Sequence, residues 1–177
     1  RFNLYGTPNF FGTDYNVLGD AFDPKNTNMD LLHMEQINGN DVYAFMKAPD
    51  GTVYECKFGI NFNGPFQITP ISKKPFVQQD LITPSTKITA SQTGIFYLAA
   101  GNKVYRYNPL NEELRALTTD FGSKDITMLK LTENDNTLIA GVEGKLYFLD
   151  VSTGKFGDVI RQVSGLPGSP VDIAIRK

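Results

Sequence analysis

The sequence predicts an all-β chain of the β-propeller type, with four-stranded antiparallel blades, three complete and a fourth partial. Three observations predict it. The chain of 177 residues holds 16 glycines and 10 prolines, enough for frequent tight turns. No long stretch carries the 3.6-residue periodicity of a helix, while short alternating runs recur throughout. One strand–turn–strand pattern also repeats: Gly51, Asn102 and Gly144 each stand three residues before a tyrosine, Tyr54, Tyr105 and Tyr147. A repeat of roughly 40–50 residues is the period of a propeller blade. A β-sandwich is the alternative, because it too is made of short strands with regular turns.

The elements follow in order. Residues 1–28 are aromatic and turn-rich, fit no blade, and are expected either to supply missing strands of the last blade or to end an earlier one. The blades then span about 29–80, 85–121 and 125–166. The first opens with Asp30–Glu35 and continues through the hairpin of Val42–Met46 and Thr52–Lys57, turned by Ala48-Pro49-Asp50-Gly51. The second runs Thr86–Ala90, Ile95–Ala99, Lys103–Tyr107 and Glu113–Leu117, with Gly101-Asn102 at its central turn. The third runs Asp125–Leu131, Thr137–Gly141, Lys145–Leu149 and Asp158–Val163, with Glu143-Gly144 at the turn. Turn residues of these types reach positive φ cheaply or bond their own backbone. A final strand is expected at 171–177, where it opens the fourth blade. Its free edge invites pairing with a second copy of the chain.

Composition narrows the chemistry. The net charge of −2, from 17 basic and 19 acidic side chains, supplies no electrostatic attraction to nucleic acid. One histidine and one cysteine are too few for a zinc centre, so no metal and no cofactor is expected. His33 lies in a strand on the face away from Leu32 and Met34 and is expected to be structural. No Gly-x-Ser-x-Gly elbow, P-loop or dinucleotide fingerprint occurs. Cys56 is expected to be buried rather than reactive, and Glu133-Asn134-Asp135-Asn136 reads as an Asx-type turn rather than a calcium loop. Catalytic residues are therefore not expected. Paired carboxylates are the one enzymatic option, with Asp20, Asp23, Asp30, Asp120 and Asp125 near strand ends. However, Asp30, Asp125 and Asp172 recur at matching strand starts, as turn chemistry does. The aromatic cluster Tyr5, Phe10, Phe11 and Tyr15 forms the weak candidate binding surface, set against a packing role in the closing blade.

The run Leu117-Thr118-Thr119-Asp120-Phe121-Gly122-Ser123-Lys124-Asp125-Ile126-Thr127-Met128-Leu129-Lys130, with Gly141–Asp150 and Ser152–Lys155, is similar to the C-terminal end of PKD-like family lipoproteins of Gram-negative gut bacteria. The resemblance covers about residues 85–177. It implies a piece of a longer surface or periplasmic protein, lipid-anchored to the outer membrane through a region outside this chain. It further implies a partner among outer-membrane transport components, in an accessory role in nutrient uptake. The expected function is non-catalytic binding or scaffolding, with a peptide or a glycan held by loops at one end of the blades. A propeller-type glycoside hydrolase or lyase and a structural spacer are the alternatives.

Overall fold

The structure, a computed structural model, describes residues 29–61 and 67–174. Its described residues build an all-β protein of three antiparallel four-stranded sheets, each an up-and-down meander in which sequence neighbours pair. The chain divides into two compact units, residues 1–80 and 81–177. The segment 1–28 lies outside the described residues.

The first unit holds one sheet: β1 (Asp30–Asn38), β2 (Asp41–Lys47), β3 (Val53–Asn61) and β4 (Gln67–Pro75). Alternation along β2 and β3 sends Ala44, Met46, Cys56 and Phe58 to one face, where they bury with Met29. On the opposite face Phe45 meets Phe76 edge-on, with ring centroids 5.4 Å apart. Burial pushes the Cys56 thiol from 9.0 up to about 12, since the apolar surroundings disfavour thiolate. The β2–β3 turn closes through Ala48 N–H to Thr52 O at 2.8 Å, and Gly51 sits at φ +91°. Gln79 then clamps the start of β3. Its side-chain oxygen accepts from Val53 N, and its amide donates to Val53 O at 3.2 Å and to Phe76 O at 2.6 Å. Glu55, only 2% exposed, faces Lys74 at 3.9 Å.

The second unit holds two sheets. One is β5 (Lys87–Ala90), β6 (Phe96–Ala100), β7 (Lys103–Asn108) and β8 (Glu113–Ala116). The other is β9 (Met128–Leu131), β10 (Thr137–Val142), β11 (Lys145–Asp150) and β12 (Asp158–Ser164). The two-residue period sends Tyr97, Ala99 and Val104 of the first sheet, and Leu129, Leu131, Leu138, Ala140, Val142 and Leu149 of the second, into one shared core. Each fully buried aliphatic side chain contributes about 1.5–3 kcal/mol relative to exposure. Phe121, in the connection between the sheets, joins this core and meets Tyr147 edge-on at 5.4 Å. The sheets are also stitched through their backbones: Ile126 N donates to Gly101 O at 2.8 Å, and Thr118 N to Phe156 O at 2.9 Å. The β10–β11 hairpin turns on Glu143 and Gly144, with φ +32° and +72°. Positive φ at both residues matches the right-handed strand twist.

Two strand expectations differ from the structure. Only Met128–Leu131 of the run 125–131 is strand, because Ile126 and Thr127 turn their N–H groups to Gly101 O and Gly141 O. Residues 171–174 form no strand, and 175–177 lie outside the described residues. The positive-φ glycines Gly165 and Gly168 turn the chain back after β12. Leu166 N then bonds Gly144 O at 3.0 Å, and Thr127 Oγ1 donates to Pro170 O. Gly141 is required beneath this strap, since a Cβ there would stand 2.9 Å from the Pro170 ring. The described part of 171–177 thus presents no edge strand for pairing with a second copy.

Leu138→Ala, at the centre of the shared core, should cost about 2–5 kcal/mol. Gly157→Ala should cost about 1–3 kcal/mol, because Gly157 holds φ +95° with Leu117 Cδ1 3.0 Å from the added Cβ. Leu110→Ala, at a side chain 87% exposed, should stay within about 0.5 kcal/mol. Urea unfolding of the three variants checks this order, and equal losses at Leu138 and Leu110 would contradict it.

Candidate functional site

Three connections from strands distant in sequence converge at one end of the paired sheets of the second unit. They are the β5–β6 turn, the β9–β10 turn and the β11–β12 loop. They enclose a cleft of about 380 Å³, lined from the strands by Tyr97 of β6, Arg106 of β7 and Glu113 of β8.

Each connection is shaped by its own polar residues. In the first, Ser91 Oγ accepts from Ile95 N at 2.9 Å and bonds Thr93 Oγ1 at 2.9 Å. In the second, Asn134 Oδ1 accepts from Thr132 Oγ1 at 2.7 Å and Asn136 N at 3.2 Å, the Asx-type turn expected there. That turn leaves Asp135 at φ +58°, and Asp135 Oδ2 reaches across to accept from Gln92 N at 3.0 Å. In the third, Asp150 Oδ1 accepts from Ser152 N at 3.0 Å and Ser152 Oγ at 2.6 Å, which holds the Asp150 carboxyl below the usual carboxylate range. Val151 N donates to Asn136 O at 2.9 Å and fastens this loop to the second turn. The walls are therefore cross-bonded to one another, which favours a preformed cleft over a loose gap between loops.

The lining mixes hydroxyls (Ser91, Thr93, Ser152, Thr153), both charge signs (Arg106, Lys155, Glu113, Asp135) and two aromatic side chains, Tyr97 and Phe156. Burial raises the Tyr97 phenol above its ordinary ionisation range. The Arg106 guanidinium, in hydrogen-bonding reach of the hydroxyl, opposes that rise, and Asp135 adds to it. Phe156 carries the Arg115 guanidinium 3.7 Å from its ring centroid, a cation–π contact that fixes both groups at the cleft's rim. Such a surface can hold a small polar molecule through hydroxyl, charged and aromatic contacts together.

The residues singled out from sequence lie elsewhere. Tyr5, Phe10, Phe11, Tyr15, Asp20 and Asp23 fall outside the described residues. Asp30 begins β1 in the first unit. Asp120 Oδ1 accepts from Gly122 N at 2.7 Å, a local turn bond, and Asp172 Oδ1 accepts from Ile173 N. Asp120 and Asp125 are exposed in the β8–β9 connection, and neither lines the cleft. His33 stands in β1 opposite Phe45. Among the described residues no three His, Cys, Asp or Glu side chains are grouped to hold a metal ion. Sequence reasoning missed Tyr97, Arg106, Glu113, Asp135 and Lys155. One signal was present in the strand Lys103-Val104-Tyr105-Arg106-Tyr107, where period two places Arg106 on the same face as the core residue Val104.

No protein-family model matches this chain, and no curated protein matches it as a relative.

Replacing Arg106 with Gln removes the cation that favours the Tyr97 phenolate. The Tyr97 ionisation, already raised, should move to still higher pH, as followed by ¹³Cζ tyrosine NMR. An unchanged Tyr97 titration would contradict the placement of Arg106 beside the phenol.

Proposed function

We propose that this chain is a non-catalytic binding region of a bacterial cell-surface lipoprotein, accessory to outer-membrane nutrient uptake, with its sheets acting as blades of a propeller. The observation that carries the binding part is the cross-bonded polar cleft at one end of the paired sheets, lined by residues of three connections. Loops held by a rigid β scaffold are where recognition is usually built. The meander order common to all three sheets supports the blade reading, since a propeller blade is a four-stranded sheet. The surface and lipoprotein parts rest on the resemblance of about residues 85–177 to the PKD-like lipoproteins. Anchoring in that reading belongs to a region outside this chain, and among the described residues no helix is long and apolar enough to cross a membrane.

The hydrolase reading keeps one observation of its own, because Glu113 and Asp135 line the same cleft and two carboxylates are what glycoside cleavage requires. Two measurements separate the readings. The immobilised chain should retain a TonB-dependent transport component from solubilised outer membranes and release no reducing ends from a glycan panel. Failure to retain any transport component would contradict the accessory role. Turnover abolished by Asp135→Asn would replace the binding reading with the enzymatic one.

A further inference from the structure

Arg106 lines the cleft half-buried and, in the β7–β8 register, stands directly opposite Arg115. Like charges facing each other across an antiparallel pair destabilise the sheet. Arg115 is accommodated by stacking on Phe156. Arg106 stands in hydrogen-bonding reach of the neutral phenol of Tyr97. Among the described residues neither Arg106 nor Lys155 lies within ion-pair distance of a carboxylate. Glu113 and Asp135 line the same cleft, yet neither closes on the guanidinium, and Asp135 already spends one oxygen on Gln92 N.

We infer that the cleft takes a small hydroxylated carboxylate, of the sugar-acid class, with its carboxylate on Arg106. This rests on the binding function proposed above and names the ligand of that site. A guanidinium recognises a carboxylate through two parallel N–H···O bonds, and the half-buried setting strengthens them. Lys155 adds a second positive group at the rim. The remaining lining suits hydroxyls: Glu113 and Asp135 accept hydrogen bonds from them, while Thr93, Ser152 and Thr153 donate or accept. An α-amino acid is the competing ligand, since Glu113 and Asp135 can also accept from its ammonium, and the alanine arm of the test below decides between them. The cleft volume of about 380 Å³ is of the size that holds a single small ligand.

The test is a ¹⁵N-HSQC titration of the whole chain with D-galacturonate, D-galactose and alanine in parallel. Galacturonate should give saturable shifts at Gln92, Arg106 and Thr153, weakened by added salt. Galactose should bind about tenfold or more weakly, since one charge-assisted pair contributes about 1.5–3 kcal/mol. Arg106→Gln should abolish the galacturonate shifts, Arg106→Lys should retain part of them, and Lys155→Gln should weaken them less. Lys124→Gln, remote at an exposed ion pair with Glu143, should leave them unchanged. If Arg106→Gln does not fold, Arg106→Lys and the salt dependence still decide. Galactose or alanine binding at the cleft as tightly as galacturonate, or galacturonate binding indifferent to Arg106, overturns the inference and leaves the binding function standing. No shift with any of the three probes also overturns it, while the outer-membrane pull-down and the turnover test judge the binding function separately.

Discussion

The second unit depends on the packing of one meander sheet on another through Tyr97, Ala99 and Val104 against Leu138, Ala140, Val142 and Leu149. Each sheet of this unit carries an apolar face that would meet water if the other were absent. Pairing them removes both apolar faces at once. It also sets the cleft's geometry, since the connections beyond the packed strands are held at a separation fixed by the core. Tyr97 belongs to both regions: its ring lies in the shared core and its hydroxyl lies at the cleft beside Arg106. A change in core packing would therefore be felt directly at the candidate site.

The connections themselves are held by small, repeated devices. Asp50, Asn108, Asn111, Asp120, Asn134 and Asp150 each accept a backbone N–H two residues ahead, satisfying donors that the strands leave unpaired. Two of these turns bear on the cleft. The Asn134 turn aims Asp135 at Gln92, and the Asp150 turn shapes the loop carrying Thr153 and Lys155. Turn chemistry that reads as scaffolding thus also positions the charges that a ligand would meet.

Much of this was legible in the sequence and some was not. The all-β class followed from period-two runs and from turn residues at fixed offsets. The central hairpins followed from Gly51, Gly101-Asn102 and Glu143-Gly144, because local φ requirements are written in residue type. The strand at 171–177 looked like the starts of the earlier sheets, yet alternation alone cannot report that Gly165, Gly168 and Pro170 first redirect the chain onto Gly141. Candidate site residues were harder still. Ser91, Asp135 and Lys155 are ordinary turn residues in their own segments, and they become a site only because sheet packing brings three separated connections together. Arg106 was missed too, although its own strand carries a local signal. A charge on the core-facing register of a strand is costly unless something uses it, and that cost is visible in the alternation around Val104.

Native-state hydrogen exchange tests the central claim most directly, because it reads whether the two sheets of the second unit form one cooperative structure. Amides of β6 and β7 and those of β10 and β11 should exchange with one common, highest opening free energy, and they should lose it together as denaturant is added. Strong protection of β10 and β11 persisting while β6 and β7 exchange freely would contradict the shared core, and with it the account of how the cleft is held.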